Sequence, residues 1–311
     1  MRSYSYFVSN QHPKKHHFVP QLLLNNFASD EQLWVMPIEQ ERSLPYKASV
    51  KNVGHVNGGH RMIKADGTED WTTLEASMNK LETAASLAIK QLHEDKSISL
   101  VSRELKEPIA WLAALQRARS RTFLGSVAHV LGDAPNEEEL KGTQFELQTT
   151  LLRTGLWNLL GKWAVQDNDS VSVAESYEPF VHYLLSLRWD VMRFEQPELV
   201  VSDAFAAQYG VSALGKPPSP SEVWGAKFGV NVPFSRAEGF TIALSPRMAL
   251  HIHHRNERWG GDPNTVNMHT VLNARSFIAF PGDANPKEVL VPLLDWVFEA
   301  RGLRSCIPPS L

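Results

Sequence analysis

The residues best suited to chemistry begin in the stretch His16-His17-Phe18-Val19-Pro20 near the start of the chain. A proline at the first helical position lacks an N–H and already has a helical φ, so Pro20 predicts a short helix with Leu23 and Phe27 on its buried face. His17 then precedes the positive end of that helix, which favours the neutral imidazole. Such a histidine could ligate a metal, accept a proton, or only hydrogen-bond a neighbour and fix the helix entry.

Two carboxylates on the first long helical pattern are the next candidates. Apolar residues recur at three- and four-residue steps over residues 71–93, which predicts an amphipathic helix. Thr72 and Glu75 have the spacing of a capping box, which gives Glu75 a structural role. Glu82 lies seven residues further on, about 10.5 Å along the helix, so the two carboxylates cannot both bind one ion directly. Glu82 alone remains a candidate acid, base or metal ligand.

A run of arginines, residues 116–121, lies in a second predicted helix over residues 103–131. Arg117 and Arg121 are four residues apart and share a face, whereas Arg119 points about 200° away from each. Arg117 and Arg121 could together hold a phosphate or a carboxylate of a substrate, because each guanidinium is a planar fork of donors. The alternative is a solvated basic face.

Asp203 follows the hydrophobic run Leu199-Val200-Val201 at the end of a predicted strand. A carboxylate that emerges from a rigid strand is well placed for a functional site, and the alternative is that it caps the turn. Met192-Arg193-Phe194 is expected to be the strand before this run, and a turn at Pro197 is expected to join the two. Residues 204–226 are expected to be a surface loop, either a lid or an insertion.

Other histidines offer weaker metal-ligand patterns. His251 and His253 share one face of a predicted strand at residues 248–253, and two such histidines can bind zinc. The sequence reveals no acidic residue or cysteine in register with them, so a polar sheet face is the expectation. His55 and His60 lie five apart in a glycine-rich loop, which fits either a metal site or a flexible turn. His16, beside two lysines, is expected to be exposed.

Composition narrows the class of protein. Of 311 residues, 43% are hydrophobic and 21% charged, as in ordinary globular proteins, and the net charge of −3 gives no global electrostatic attraction to nucleic acid or membrane. A local basic patch is compatible with that sum. The single cysteine, Cys306, excludes an internal disulfide, and no stretch has the length and apolarity of a membrane span. We therefore expect a cytoplasmic protein that is not in a membrane.

The order of the patterns predicts the fold. Helical patterns dominate residues 71–187 and alternating strand patterns follow. We predict a single α+β domain over residues 1–311, in which the helical first half packs on a mixed or antiparallel C-terminal sheet within residues 188–301. No phosphate loop, dinucleotide fingerprint, nucleophile elbow or internal repeat is present.

The opening string resembles the start of the domain of unknown function 4238 family, which has His-aromatic-Val-Pro followed by Leu and Asn-Phe. Here those residues are His17-Phe18-Val19-Pro20, then Leu24 and Asn26-Phe27. The resemblance continues thinly, through Leu33-Trp34-Val35, Leu74-Glu75, Leu81-Glu82, Ser202-Asp203 and Leu244-Ser245-Pro246. This chain departs from the family at Leu23, at Asn25 and after Asp203. The resemblance implies a bacterial-type protein with a role in defence or toxicity.

Two functions follow as expectations. In the first, His17, Glu82 and Asp203 catalyse hydrolysis, assisted by a divalent metal ion or by acid–base chemistry alone. Arg117 or Arg121 would orient the phosphate of a nucleic acid or another phosphorylated ligand. In the second, the same residues form a polar network in a binding or sensor module without catalysis.

Overall fold

The computed structural model describes residues 15–38, 44–57, 62–63, 66–120, 137–160, 179–209, 237–254 and 261–293. Several predictions made from the sequence fall outside these ranges. They are the predictions for Arg121, for His60, for Cys306 and for most of the 204–226 loop.

Helices alternate with strands at the start of the chain and dominate its middle. The described helices are α1 Gln21–Phe27, α2 Thr73–Glu94, α3 Arg103–Arg119, α4 Glu137–Leu160, α5 Pro179–Ser186, α6 Pro263–Asn273 and α7 Pro286–Leu293. The strands are β1 Lys15–His17, β2 Gln32–Pro37, β3 Tyr46–Ser49, β4 His55–Asn57, β5 Met62–Ile63, β6 Glu69–Asp70, β7 Arg188–Arg193, β8 Val201–Ser202, β9 Ala207–Tyr209, β10 Gly239–Ser245, β11 Met248–His253 and β12 Phe277–Pro281. A short 3₁₀ turn, Val50–Asn52, lies between β3 and β4.

Two four-stranded antiparallel sheets and two strand pairs, β1-β4 and β5-β6, form the β part of the described residues. One has the strand order β7-β11-β10-β9 and the other β3-β2-β12-β8. The second sheet joins an early and a late segment of the chain, because β12 pairs with β2 so that Phe280 lies opposite Trp34. The α+β class is confirmed, and the sheet packed with the helices is antiparallel.

The two strands predicted at Met192–Phe194 and Leu199–Val201 are present in part, as the end of β7 and the start of β8, and they do not pair with each other. The strand that contains Met192 pairs with β11, whereas Val201 pairs with Ala279 of β12 in the other sheet. The chain crosses from one sheet to the other at this point, so the turn at Pro197 links two sheets.

The start of α2 also differs from the sequence prediction. Thr72 occupies the N-cap position without a side-chain cap hydrogen bond. Asp70 performs that role, because its carboxylate accepts from the backbone N–H groups of Thr72 and Thr73, both at 3.0 Å. The part of the capping-box interpretation that made the Thr72 side chain the cap is therefore wrong.

The central strands of both four-stranded sheets lie in the interior of the protein. Every residue of β10, β11 and β12 is buried, and α6 packs on β9 and β10 while α1 packs on β10 and β12. The main hydrophobic core includes residues from Val19 to Ala279, and a smaller cluster surrounds Phe280 between β12, α6 and α7. The assignment of residues 1–311 to one domain stays a prediction.

No helix in the described ranges combines the length and the apolar character that crossing a membrane requires.

Candidate functional site

The first group of functional side chains lies around the opening motif. We call His17, His55, Glu75, Glu82 and Arg119 the opening-motif cluster. β1 pairs antiparallel with β4 so that His17 lies opposite His55, and their ring centroids are 5.8 Å apart. The predicted helix after Pro20 is present as α1, directly downstream of this strand pair. The motif therefore places one histidine at the helix entry and a second beside it from a different part of the chain.

His17 is half-buried, and its surroundings favour the neutral form of the imidazole. Burial lowers its pKa below the usual 6.5, and the neighbouring His55 lowers that pKa further, while the carboxylates of Glu75 and Glu82 partly offset both effects. The side-chain amide nitrogen of Gln21 lies 2.9 Å from Nε2 and 3.2 Å from Nδ1 of the ring. An amide N–H can only donate, so Gln21 favours a ring with a free lone pair on its side.

Glu82 is paired with an arginine that the sequence prediction set aside. Its Oε1 accepts from Nη2 of Arg119 at 2.7 Å, and the Arg119 side chain is 2% exposed. Arg119 also donates through Nε to Oε1 of Gln116 at 2.9 Å. The Gln116 amide nitrogen then donates to the backbone carbonyl of Phe18 and, at 3.3 Å, to that of Asp203. A continuous polar network thus links Glu82 to the opening motif.

Asp203 joins that network only through its backbone. Its buried carboxylate accepts from the backbone N–H groups of Arg275 at 2.8 Å and Ser276 at 3.0 Å, just before β12. Burial raises the pKa of this carboxyl group, and the hydrogen bonds from Arg275 and Ser276 work in the opposite direction. This geometry corresponds to the turn-capping alternative, and a catalytic role for Asp203 stays a prediction.

The three arginines of the 116–121 run have different positions. Arg117 is exposed, with its guanidinium carbon 5.0 Å from the ring centroid of Phe180. Arg121 lies outside the described residues. Arg119 lies on the buried face of α3, where it follows Leu115 and Gln116. The signal that could have identified Arg119 was a Gln and an Arg three residues apart on an otherwise apolar helix face, since such a pair needs partners inside the protein.

His16 was expected to be exposed, and this was wrong. It is 1% exposed, and its ring lies 5.9 Å from that of Trp71. Side chains of a strand alternate between its two faces, so exposed Lys15 is followed by an inward-facing His16.

A second group of polar residues lies on the β7-β11-β10-β9 sheet and on helix α6, which packs against it. We call Asp190, Tyr209, His251, His253 and His269 the sheet cluster. The expectation that no acidic residue is in register with the histidines was wrong, because Asp190 of β7 lies directly opposite His251 of β11. The expected polar outer face is also wrong, since His251 and His253 are only 4% and 3% exposed.

Aromatic contacts and burial fix the sheet cluster. The rings of His251 and His253 stack at 4.2 Å, and the ring of Tyr209 stacks on His269 at 4.6 Å. Burial, reinforced by His253, lowers the pKa of His251 to about 3, and burial lowers the pKa of His269 to about 4. Both rings are therefore neutral at physiological pH and can offer a lone pair.

The two clusters differ in their capacity for metal. Among the described residues, the only group of three His, Cys, Asp or Glu side chains with ligand atoms within 4.8 Å of one another is Asp190, His251 and His253. The opening-motif cluster instead combines two imidazoles and two carboxylates, one of which is paired with the buried cation of Arg119.

Comparison with known proteins gives a family but no characterised relative. No curated protein and no solved structure matches the chain. A family described as "Protein of unknown function (DUF4238)" matches residues 15–282, which begin at β1 and end just after β12. The matched segment contains every residue of both clusters. The chain belongs to this family.

Proposed function

We propose that this protein is a hydrolase of phosphodiester bonds with His17 and His55 as its acid–base pair. The observation that carries the proposal is the pairing of two histidines of lowered pKa, 5.8 Å apart, at the half-exposed end of the opening-motif cluster. Two imidazoles at this spacing can flank one reacting group. One would take a proton from the attacking water or hydroxyl, and the other would donate a proton to the leaving oxygen.

One charge beside the pair, the ammonium of Lys15, would favour an anionic substrate. The exposed Lys15 lies on the same strand as His17, and its ammonium lowers the pKa of His55 after the larger effect of burial. Lys15 Nζ donates to Oδ1 of Asn52 at 2.6 Å, which holds the ammonium beside β4. A cation in this place would attract a phosphate group to the two imidazoles.

Glu82 and Arg119 would act indirectly, because Arg119 would hold the Glu82 carboxylate near His17. Arg119 is too buried to contact a substrate directly, but it fixes the Glu82 carboxylate within electrostatic range of His17. That carboxylate would stabilise the imidazolium that forms when His17 takes a proton. In this proposal Glu82 is a positioning residue, and the arginines at 117 and 121 are candidates for contact with the rest of a nucleic acid.

In its most specific form, the proposal is that this protein is a nuclease effector in defence or toxicity. Its support is the phosphodiester chemistry that two histidines can perform, together with what the resemblance to the family implies. In this form the natural substrate is a nucleic acid, and the acid–base pair needs no metal ion for the transfer of protons.

A second function, a binding or sensor module without catalysis, is favoured by one specific observation. Gln116 holds the carbonyl oxygens of both Phe18 and Asp203, so the network ties the opening motif to the end of β8. Such a network can serve purely to fix one folded arrangement.

The experiment that separates these functions compares His17→Gln with wild-type protein on fluorogenic RNA and single-stranded DNA oligonucleotides. We expect His17→Gln to lower kcat/KM by about 10²- to 10⁴-fold, the usual contribution of one acid–base group, without a change in Tm. The pH profile of the wild type should be bell-shaped with its maximum below pH 6.5, because the pKa values of both histidines are lowered from that value.

The matched control is His93→Gln. His93 is another half-buried histidine whose pKa is lowered by burial, but it lies at the far end of α2. Its replacement should leave kcat/KM unchanged. An equal loss of activity in both variants, or no cleavage by the wild type on either substrate, would contradict the hydrolase. A fall in Tm for His17→Gln with no activity to lose would favour the structural module.

A further inference from the structure

Asp190, His251 and His253 come together because β7 and β11 are antiparallel neighbours. The register puts Asp190 opposite His251, and His253 lies two residues along on the same face of β11. One ligand atom from each residue lies within 4.8 Å of the other two. Two imidazoles and one carboxylate at this spacing resemble the three-ligand sets of zinc sites that keep a fourth position open.

The separation of the ligand atoms suits a single ion. Nε2 of His253 lies 2.8 Å from Oδ2 of Asp190. Two ligands that each bind zinc at about 2.0–2.2 Å are about 3–3.5 Å apart around the ion. A small rotation of either side chain would open the required space.

The hydrogen bonds of His253 require a positive charge where it faces Asp190, either on the ring itself or on a bound ion. Nδ1 lies 2.7 Å from the carbonyl oxygen of His254, which can only accept, so Nδ1 carries a proton. Nε2 faces the Asp190 carboxylate, which also only accepts when ionised. A neutral imidazole has one N–H and cannot serve both acceptors. The ring is therefore either a buried imidazolium or a neutral ligand whose Nε2 lone pair faces a metal ion.

The surroundings resemble the outer partners of a metal site. A metal-binding histidine commonly donates its other N–H to a backbone carbonyl, as Nδ1 of His253 does toward His254. Arg188 donates through Nε to both oxygens of Asp190, at 2.9 and 3.0 Å, and so orients the carboxylate. These contacts hold two of the three ligands in place independently of an ion.

His251 and Tyr209 complete the environment. Nε2 of His251 lies 2.5 Å from the hydroxyl oxygen of Tyr209, so this hydrogen bond orients the His251 ring. Tyr209 is itself fixed by stacking on His269.

We propose that Asp190, His251 and His253 bind one divalent transition-metal ion of the zinc class, with a further coordination position open beside Asp190. Imidazole and carboxylate donors suit zinc, whereas calcium and magnesium prefer all-oxygen sets. The Asp190 side chain is 28% exposed, so the ion would be reached from that side. This site shares no residue with the opening-motif cluster, and the inference does not rest on the proposed hydrolase.

The test is calorimetric titration of chelator-treated full-length protein with zinc chloride. We expect one zinc ion per chain in the wild type. His253→Gln and Asp190→Asn should each weaken binding by about 100-fold or more, since loss of an outer partner alone costs 10- to 100-fold. The control is His182→Gln, which changes an exposed histidine on α5 and should leave the affinity unchanged.

A second measurement on the wild type covers the case in which the variants do not fold. Cobalt(II) should give ligand-field absorption bands that zinc abolishes, and zinc should raise Tm by an amount that grows with the logarithm of its concentration above Kd. Absence of both effects, or the same zinc affinity in folded His253→Gln as in the wild type, would overturn the proposal and leave an imidazolium–carboxylate pair at this position.

Discussion

The opening-motif cluster and the sheet cluster are both built on histidines, yet the fold assembles them from different kinds of contact. In the opening-motif cluster, a short strand pair brings His17 to His55, and two long helices add Glu82 and Arg119. In the sheet cluster, the register of adjacent strands and the packing of one helix place every member. Helix packing therefore brings charged side chains to the opening-motif cluster. Strand pairing instead sets a spacing of side chains in the sheet cluster that suits a metal ion.

The two clusters also handle burial differently. The opening-motif cluster buries a full cation, Arg119, and neutralises it with Glu82. The sheet cluster instead keeps His251 and His269 uncharged, because burial depresses their pKa values. Stability should therefore depend on an ion pair in the opening-motif cluster and on unprotonated imidazole rings in the sheet cluster. Three predictions test this contrast, beginning with the largest expected effect.

Removal of the buried cation should cost the most. Arg119→Met leaves the Glu82 carboxylate and the Gln116 amide without their partner, and we expect the free energy of unfolding to fall by about 3 kcal/mol, as for other broken buried pairs. Chemical denaturation monitored by circular dichroism measures this. The control Arg117→Met removes an exposed arginine from the same helix and should cost less than about 1 kcal/mol. Equal losses would show that the buried pair contributes no more than a surface charge.

Asp203 should behave as a structural residue with a smaller effect. Asp203→Ala leaves the backbone N–H groups of Arg275 and Ser276 unsatisfied in a buried turn, so we expect a loss of about 2 kcal/mol in the free energy of unfolding. Asp262→Ala removes the exposed N-cap of α6 and should cost about 1 kcal/mol. Cleavage per folded molecule should stay unchanged in Asp203→Ala. A loss of cleavage without a loss of stability would restore the catalytic role predicted from the sequence.

The effect that is smallest at neutral pH should be an acid sensitivity that belongs to the sheet cluster. The folded-state pKa values of His251 and His269 lie near 3 and 4, below the 6.5 of the unfolded chain. The unfolded chain therefore binds more protons in that window, so this contribution to stability is complete above pH 6.5 and is lost as pH falls toward 4 and then 3. His269→Phe keeps an aromatic ring on Tyr209 but cannot titrate.

Thermal unfolding across this pH range, in chelator-treated protein, measures the contribution. The fall in Tm on acidification should be shallower in His269→Phe than in the wild type. His182→Gln, which changes an exposed histidine, should keep the wild-type slope. A slope that is the same in all three proteins would place the acid sensitivity elsewhere in the chain.

Local signals in the sequence predicted a substantial part of the fold. Pro20 predicted α1 with Leu23 and Phe27 buried, and the pattern of residues 248–253 predicted the strand β11. An N-cap residue followed by proline favours a helix start, and α6 begins in this way where the Asp262 carboxylate accepts from the backbone N–H of Thr265 at 3.0 Å. Each of these depends on residues within a few positions of one another, so the physical cause is contained in the short segment itself.

What the sequence by itself determined is therefore the identity of the elements, their α+β order and the presence of His17 at the entry of a helix. Only the tertiary structure decided which side chains meet. Asp190 and His253 are 63 residues apart, and Arg119 and Glu82 are 37 apart, so no local period predicts either contact. Strand register and helix packing are set by burial of apolar faces over the whole chain, and polar partners are brought together by that packing.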